Sequence, residues 1–375
     1  MHYDAIVLGL GAMGLAAAWR LASRGLRVLG LEQHTLPHTL GSSHGHTRII
    51  RQAYYEHPDY VPLLRHAYSG WHELEQLTGQ HLFTQCPCLS LGPPEGELIQ
   101  GVICASREHA LPLETLSLDE VIARFPAFTH LDDFAAVVEP TAGVLAVEDS
   151  LRAMARLASA RGASLRERVA VRAWRREGDA VAVVTDEGTV HAARLVITAG
   201  PWAARVLATQ APPLRVMRQV VFWFAAAELA RFRRDRFPVF IADTPGGYFY
   251  GMPAFDARGV KVAQHYGAPE TDDPDAIERT LSAADEQPVR DFLRRHLPEA
   301  DAPVSEASTC IYTLTPDRHF WIDSLDEAVV VAAGFSGHGF KFAPVVGEIL
   351  ADRAMQGHTA LPAQLFQRRA FATLS

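Results

Sequence analysis

The first 33 residues alternate apolar runs with glycine-bounded breaks, and this pattern predicts a βαβ unit. The short apolar run "YDAIVLGL" (3–10) predicts a buried strand, and "LRVLGLEQ" (26–33) predicts a second one. Between them, "AMGLAAAWRLASRG" (12–25) is rich in apolar helix formers and has Gly25 as a stop signal. A βαβ unit predicts a parallel sheet.

Beyond this unit, the spacing of the apolar positions changes twice along the chain. The order is α/β, then mostly antiparallel β, then α/β again, so the first and last parts are expected to share one sheet. The patterns predict helices at 60–80, 149–162 and 275–297, a strand with a hairpin and a further strand over 168–200, a strand-rich block over 214–266, and a closing strand, glycine-rich loop and helix over 328–355.

The composition is that of an ordinary globular protein and excludes several classes. At 375 residues the chain exceeds what a single hydrophobic core usually supports, so two domains or one elaborate domain are expected. Its 35 Lys and Arg residues against 43 Asp and Glu give a net charge of −8, which argues against a nucleic-acid partner. Four cysteines are too few for a disulfide framework and predict a reducing compartment, the cytoplasm. No apolar run approaches the ~20 residues that a membrane helix needs, so no membrane partner is expected.

Gly9, Gly11 and Gly14 form a G-x-G-x-x-G motif between the first predicted strand and helix. In this motif the first glycine permits a tight turn, the second lets the backbone approach a pyrophosphate, and the third allows close helix–strand packing. Glu32 ends the second strand, where a carboxylate can accept hydrogen bonds from ribose hydroxyls. The stretch predicts dinucleotide binding rather than a merely structural turn. It does not separate NAD from FAD, although Glu32 argues against NADP.

Motif and element order together predict a fold of the α/β class, α+β overall, with two discontinuous domains. A Rossmann-like dinucleotide-binding domain is expected at 1–82, 145–212 and 317–375. A second, mostly antiparallel β domain is expected at 83–144 and 213–316, and it would contribute the substrate side of the site.

A basic stretch, "GSSHGHTRIIRQAYYEHPDY" (41–60), follows the second predicted strand. On a helical turn Arg48 and Arg51 would share a face and could hold a substrate carboxylate. The alternative is a solvated basic turn paired with Glu56 and Asp59, and the stretch alone does not decide between them. Its histidines have no cysteine or acid at ligand spacing, so no metal site is predicted.

Two further segments near the C-terminus have both a functional and a structural interpretation. "GFSGHGFKFAP" (334–344) has glycines suited to close approach of a ligand, and Lys341 is expected in the first helical turn, where the helix dipole disfavours a cation. Lys341 therefore indicates an anionic partner, unless its amine simply reaches solvent. Cys310 lies in a strand-like run, "STCIYTL" (308–314), and is either a packed apolar residue or a chemical group.

These pieces together resemble the monomeric sarcosine oxidase and N-methyltryptophan oxidase family over the whole chain. The resemblance is carried by "VLGLGAMG" (7–14), "SSHGHTRIIR" (42–51), "RQVV" (218–221), "YGMPAF" (250–255), "CIYTLTPDRHF" (310–320) and "GFSGHGFKF" (334–342). It implies that the dinucleotide is FAD, attached covalently through a cysteine sulfur to the flavin 8α carbon. Cys310 stands at the matching place.

The resemblance also implies roles for individual residues. Lys261 matches the lysine that activates oxygen near flavin N5, and Arg48 matches an arginine close to the flavin ring. Arg51 and Lys341 match the pair that grips the substrate carboxylate. The matching substrate pocket is lined by Tyr250, His265, Tyr312 and His44, and the cofactor-binding set comprises Gly9, Gly11, Gly14, Glu32, Ser42, Thr47, Val169, Cys310, Gly337, Gly339 and Lys341.

At some positions the residue roles that the resemblance implies carry over less directly to this chain. Without the resemblance, Tyr250 and His265 would be interpreted as ordinary residues of a half-buried strand. The chain has His46 where sarcosine oxidase has an acid, and it also departs from the family pattern at Pro316 and Arg318. These differences concern the surroundings of the flavin and the shape of the pocket.

The expected function is oxidation of a secondary amine by O2, with N-methyl amino acids such as sarcosine giving the demethylated amino acid, formaldehyde and hydrogen peroxide. The protein is expected to act as a cytoplasmic monomer. Alternatives are an FAD oxidase of D-amino acids, of pipecolate- or proline-like amino acids or of glycated amino acids. Two non-enzymatic classes also stay open: a non-catalytic NAD-binding protein, and a flavin-bearing structural or electron-transfer protein.

Overall fold

The computed structural model describes residues 2–367 and 369. Its helices are α1 (Ala12–Ser23), α2 (Tyr60–Thr78), α3 (Glu97–His109), α4 (Leu118–Arg124), α5 (Val147–Ala160), α6 (Ala203–Leu207), α7 (Ala283–His296) and α8 (Ala343–Gln356). Its strands are β1 (His2–Leu8), β2 (Val28–Leu31), β3 (Thr47–Ile50), β4 (Phe83–Gln85), β5 (Cys88–Gly92), β6 (Glu114–Leu116), β7 (Ala135–Glu139), β8 (Gly143–Ala146), β9 (Ser164–Arg166), β10 (Val171–Glu177), β11 (Ala180–Thr185), β12 (Gly188–Ile197), β13 (Arg215–Phe224), β14 (Val239–Thr244), β15 (Gly247–Met252), β16 (Val260–His265), β17 (Glu270–Thr271), β18 (Val304–Leu314), β19 (Trp321–Ser324) and β20 (Val329–Ala333).

The predicted βαβ unit forms the centre of a mixed sheet. Strand β1 pairs in parallel with β2 on one side and with β12 on the other, and β20 adds to β12 in parallel. Ala5 and Val7 of β1 face the core that contains α1 and α8, whereas Ile6 and Leu8 face a second cluster. Both faces of β1 are therefore buried, which explains its uninterrupted apolar sequence. The first and last parts of the chain share this sheet, as predicted.

The second large sheet has the order β17-β13-β16-β15-β14-β5-β7-β6, with β18 on β13. Its pairs are antiparallel except β14 with β5. Along β13 the side chains alternate: Phe222 and Phe224 enter a phenylalanine-rich core, whereas Val221 and Trp223 point to the opposite face. A small sheet, β3-β8-β4, completes the fold. The combination of a parallel sheet flanked by helices and an antiparallel sheet confirms the predicted fold class.

Three local expectations were wrong. Arg48 lies on β3 and Arg51 just after it, so they do not share a helical face. Lys341 lies in a 3₁₀ turn, Phe340–Phe342, directly before α8. Helix α7 begins at Ala283, not at 275, because Ser282 and Asp285 form a capping box that fixes its first turn.

The residues before α7 form a polar strap, 272–282. Arg205 pairs with Asp273 and Asp275 of the strap, and Arg279 donates to the carbonyl oxygens of Thr39 and Leu40. The strap thus joins helix α6 and the loop at Thr39 and Leu40 to the antiparallel sheet.

The proposed domain boundaries remain a prediction, and Met1, Arg368 and residues 370–375 of those ranges lie outside the described residues. Strands of the mixed sheet come from 2–31, 164–197 and 321–333, and strands of the antiparallel sheet come from 88–139 and 215–314. Among the described residues, every helix is too short or too polar to cross a bilayer.

The packing of the N-terminal glycines generates a stability prediction. A Cβ on Gly14 would lie 1.8 Å from the carbonyl oxygen of Gly9, whereas a Cβ on Gly11 would meet only Ser43 Oγ at 3.4 Å. We expect Gly14→Ala to lower the free energy of unfolding of the flavin-free protein by roughly 1–3 kcal/mol or more. Gly11→Ala, the matched control, should cost under ~1 kcal/mol. Denaturant unfolding compares the two, and equal midpoints would contradict this packing.

Candidate functional site

An open cavity lies between the mixed sheet and the antiparallel sheet, and its volume is about 1980 Å³ when its mouth and the adjoining solvent are included. Its lining extends from Gly9 and Gly11 at one end to Cys310 and Lys341, so the cavity suits an elongated ligand. Of the predicted site residues, the cavity wall contains Gly9, Gly11, Glu32, Ser42, Arg48, Arg51, Val169, Tyr250, His265, Cys310, Tyr312, Gly337, Gly339 and Lys341. Gly14, His44, Thr47 and Lys261 lie behind the wall.

One end of the cavity has the features of a dinucleotide site. Gly11 is the N-cap of α1, and its open side faces the cavity, so the helix N-terminus is accessible to a phosphate. Glu32 is buried and accepts hydrogen bonds from the backbone N–H groups of Leu10 (2.9 Å) and His34 (3.0 Å). These bonds fix its carboxylate at the cavity wall. The donor and acceptor set therefore fits the pyrophosphate and ribose of a dinucleotide.

Cys310 lies on β18 with its thiol at the cavity wall. Its Sγ is 3.4 Å from Nη2 of Arg48 and 3.9 Å from the carbonyl oxygen of Ser42. Burial by itself raises the pKa of this thiol, but the Arg48 guanidinium and the His44 ring lower it to about 6. By contrast, burial raises the pKa of Cys86 to about 11. Cys310 is thus a thiolate at neutral pH, which plain packing does not require.

Arg51 is 4% exposed, so the solvated-turn interpretation of its segment is wrong. Its Nη2 donates to both carboxylate oxygens of Glu56, at 2.7 and 2.8 Å, and its Nη1 donates to the carbonyl oxygen of Ala53 at 2.8 Å. Its guanidinium lies over the rings of Tyr54 and Tyr55. The sequence interpretation treated Glu56 only as a surface partner, yet it is the carboxylate that Arg51 holds at the cavity wall.

Lys341 is the second cation of this wall. Its Nζ donates to the carbonyl oxygen of His338 at 2.7 Å and to the hydroxyl of Tyr54 at 3.3 Å. Burial, together with the positive charge of Arg51, lowers the pKa of Lys341 to about 7. Within residues 2–367 and 369 no carboxylate forms an ion pair with Lys341. An anion in the cavity would therefore be its natural partner.

Between these cations and Cys310, the wall is aromatic. Nδ1 of His265 lies 3.0 Å from the Tyr312 hydroxyl, and the His265 ring is perpendicular to that of Tyr250. Burial lowers the pKa of His265 to about 3, so this ring is neutral. Burial also raises the pKa of Tyr250, which stays a phenol. This wall is uncharged and can contact an apolar or neutral substrate.

Lys261 is 1% exposed and lies one layer behind the wall. Its Nζ donates to the carbonyl oxygens of Gly45 (2.7 Å) and Thr47 (3.0 Å) and lies 4.8 Å from the centre of the Trp223 ring. Burial and the nearby Arg48 lower the pKa of Lys261 well below its ordinary value. Arg48, on the wall itself, donates to the same Thr47 oxygen.

The lysine content was a signal that the sequence interpretation missed. Of the 35 basic residues in the printed sequence, only Lys261 and Lys341 are lysines, and all others are arginines. Both lysines are buried beside the same cavity. Tyr54 and His338 also belong to the site, where the Tyr54 hydroxyl lies 2.6 Å from Nδ1 of His338. No sequence pattern distinguished these two residues.

Comparisons with known proteins agree with this geometry. Residues 4–353 match the family described as FAD dependent oxidoreductase. The chain is 40% identical to a monomeric sarcosine oxidase of Streptomyces avermitilis, over 99% of this chain and 98% of that protein. It is 36% identical to an N-methyl-L-tryptophan oxidase of Yersinia pestis, over 94% of each. A solved structure of a Tyr258Phe mutant of NikD, an unusual amino acid oxidase essential for nikkomycin biosynthesis, superimposes with a TM-score of 0.89 at 28% identity, covering 98% of this chain and 97% of that one.

The thiol of Cys310 generates a pH prediction. In protein prepared without flavin, alkylation of Cys310 by iodoacetamide should rise with pH through about 6 and level off above it, because the pKa is lowered to about 6. Arg48→Met should move this rise to higher pH, since burial then acts without its nearest cation. Mass spectrometry of the alkylated peptides measures both, with Cys86 as the control. A rise near pH 8.5 or above in the parent protein would contradict the thiolate.

Proposed function

The chain belongs to the FAD dependent oxidoreductase family, in its group of sarcosine and N-methyltryptophan oxidases, and from this we propose that it oxidises N-methyl amino acids such as sarcosine. As a member of this group it is an FAD oxidoreductase acting on CH–NH groups. The observation that supports the substrate class is the pair of buried basic residues, Arg51 and Lys341, beside the neutral aromatic part of the cavity wall that Tyr250, His265 and Tyr312 form. Such a pair suits a small amine that carries a carboxylate.

In this proposal Arg51 and Lys341 bind the substrate carboxylate and thereby orient the amine. Arg51 holds Glu56 with both carboxylate oxygens, so a substrate carboxylate has to replace Glu56 at the same guanidinium. In this exchange one carboxylate replaces another at Arg51, so the guanidinium itself is never left without a counter-charge. Glu56 thus keeps Arg51 compensated between turnovers.

The aromatic wall and the cations also act on the substrate nitrogen. An amine must be unprotonated before it can lose electrons, and nearby positive charges disfavour an ammonium group. Arg51 and Lys341 supply these charges, and the neutral His265 ring does not oppose them. Tyr250 and the buried Tyr312 complete an uncharged aromatic surface against which the N-methyl group would pack.

The FAD site would use the residues already described. Gly11 and the N-terminus of α1 would bind the pyrophosphate, and Glu32 would bind a ribose. When bound, FAD accepts two electrons from the substrate and passes them to O2, so that N-methyl amino acid, O2 and water give amino acid, formaldehyde and hydrogen peroxide. Arg48 and Lys261 would stabilise the negative charge that arises beside them.

We further propose that Cys310 attaches the flavin through its sulfur. The support is the thiolate itself: Arg48, at 3.4 Å, stabilises a charged nucleophile on the cavity wall. His44 has a buried Nε2 with no hydrogen-bond partner among the described residues and sits close enough to lower the pKa of the thiol. Arg48 and His44 would then act on the attachment of the cofactor rather than on the substrate.

The substrate class is tested by a hydrogen peroxide screen of the purified protein. Sarcosine, N-methyltryptophan, a cyclic amino acid such as pipecolate and the carboxylate-free dimethylamine would be compared at equal concentration. We expect turnover of N-methyl amino acids and little of dimethylamine, because the amine lacks the group that Arg51 and Lys341 bind. Equal turnover of sarcosine and dimethylamine would reject the substrate class. Turnover of pipecolate alone would favour a cyclic amino acid oxidase.

Variants of Arg51, Lys341 and Glu56 separate substrate binding from the chemical step. Arg51→Ala or Lys341→Ala should raise KM for sarcosine by one to several orders of magnitude, because removing one partner of a buried charge pair costs ~2–5 kcal/mol. The Glu56 carboxylate competes with the ligand for Arg51, and Glu56→Gln removes its charge. This variant should therefore bind a carboxylate without an amine, such as methoxyacetate, more tightly than the parent protein does. Spectroscopic titration of the flavin measures that affinity. A Glu56→Gln protein that binds methoxyacetate more weakly would rule out the exchange.

Covalent attachment predicts that flavin stays with the acid-precipitated parent protein, because a thioether survives unfolding and pocket contacts do not. Cys310→Ser should release all of it to the supernatant, whereas Cys86→Ser, another buried cysteine, should not. Absorbance of pellet and supernatant measures the distribution. Flavin released from the parent would leave Cys310 without this role.

The role of Lys261 predicts that the two half-reactions separate. Electron transfer to O2 first makes superoxide, an anion, which a fixed ammonium in a dry site stabilises. Lys261→Met should slow the oxygen half-reaction by roughly 10²-fold or more, the scale of removing one preorganised charge partner. Anaerobic reduction by substrate should fall much less. Stopped-flow flavin absorbance gives both rates, and equal losses would assign Lys261 to general positioning.

A further inference from the structure

Lys261 belongs to a row of side chains that crosses three strands of the antiparallel sheet. Trp223 on β13 pairs with Lys261 on β16 and with Glu306 on β18. Directly paired residues of neighbouring strands project from the same face. Glu306, Trp223 and Lys261 therefore line up side by side, and the loop before β3 lies against them.

Two members of this row, Glu306 and Trp223, contact the His46 ring. Nε2 of His46 lies 2.7 Å from Oε1 of Glu306, and its ring meets Trp223 edge to face with centroids 5.3 Å apart. Lys261 donates to the carbonyl oxygens of Gly45 and Thr47, the residues that flank His46. The three members of the row thus contact three consecutive residues, Gly45 and His46 of the loop and Thr47, the first residue of β3.

The loop has a backbone conformation that is unfavourable unless its surroundings stabilise it. His46 has a φ of 63°, a left-handed conformation that costs a non-glycine residue free energy and persists only where the surroundings fix it. From the other side, Glu148 accepts hydrogen bonds from the N–H groups of Gly45 (2.9 Å) and His46 (3.2 Å). With its side chain tied to Glu306, the loop presents two carbonyl oxygens to one amine.

The carbonyl oxygens of Gly45 and Thr47 stabilise the buried ammonium group of Lys261. A buried ammonium without acceptors is strongly disfavoured, and here Arg48 adds a second positive charge beside it. Among the described residues no carboxylate forms an ion pair with Lys261. If the loop relaxed, the amine would lose its hydrogen bonds and leave its place.

We propose that His46 and Glu306 are positioning residues for Lys261, and that their contact sets the rate at which the enzyme reacts with oxygen. The inference rests on the proposed role of Lys261. It also gives a function to His46, one of the positions at which this chain departs from the family pattern.

Two variants test the contact without removing the loop. His46→Asn keeps a residue type that tolerates positive φ but withdraws the ring, and Glu306→Gln keeps the shape but removes the charge. The matched control is His191→Asn, because His191 pairs with Glu177 at 3.1 Å and similar exposure on β12, away from the cavity.

The first readout does not depend on turnover. Because Lys261 and Lys341 are the only lysines, acetic anhydride labelling followed by mass spectrometry reports on Lys261 with Lys341 as an internal reference. We expect His46→Asn and Glu306→Gln to raise the Lys261 to Lys341 labelling ratio of the holoenzyme ~5-fold, a factor typical of losing one hydrogen bond. His191→Asn should leave it unchanged. An unchanged ratio in the first two variants overturns the proposal.

The second readout is kinetic. Both variants should slow the oxygen half-reaction ~5-fold with anaerobic reduction nearly unchanged, and neither should slow it further when Lys261 is already Met, because residues that act through one another are not additive. Undiminished slowing in the Lys261→Met background overturns the proposal. If Lys261→Met itself leaves the oxygen half-reaction normal, the proposed role of Lys261 and the link to oxygen both fail. The labelling ratio then still decides whether His46 and Glu306 position the amine.

Discussion

The burial of four cations around one cavity is the constraint on which the rest of the site depends. Arg51, Lys261 and Lys341 are buried and Arg48 is half-buried, and like charges in a medium of low polarity repel strongly. Arg51 pairs with the carboxylate of Glu56, and Arg48 contacts the Cys310 sulfur and two backbone carbonyl oxygens. Among the described residues, Lys261 and Lys341 form no ion pair with a carboxylate and rely on carbonyl oxygens and hydroxyls. The site is therefore short of negative charge, and anions are what complete it.

The same excess of positive charge accounts for the protonation states of its neighbours. It keeps His265 and His338 neutral by adding to the effect of burial, and it holds the Cys310 thiol ionised against that effect. Burial and this positive charge together lower the pKa of Lys341 to about 7, so this amine is partly deprotonated at physiological pH. One electrostatic environment thus yields neutral bases and an ionised nucleophile within the same wall, which are the states that amine oxidation and flavin attachment would each require.

Much of this was accessible from the sequence, and the remainder was hidden for physical reasons. The βαβ unit with its glycines is a local pattern, so the mixed sheet and its dinucleotide end could be predicted from about 30 residues. The resemblance supplied residues on β15, β16 and β18 that nothing local distinguishes. The burial of Arg51 against Glu56 could not be predicted, because a basic turn and a buried ion pair have the same sequence. The start of α7 was missed because helical periodicity extended into the strap, where ion pairs with Arg205 prevail.

The replacement of lysine by arginine everywhere outside the cavity has a consequence for the protein in solution. Guanidinium groups stay protonated up to about pH 12, so no cationic side chain other than histidine loses its charge between neutral and strongly alkaline conditions, except the two buried amines. The many surface ion pairs of arginine, such as that of Arg24 with Asp352, are equally insensitive to lysine acetylation. The positive charges of the outer arginine side chains therefore stay fixed above neutral pH, and both lysine amines lie in the interior.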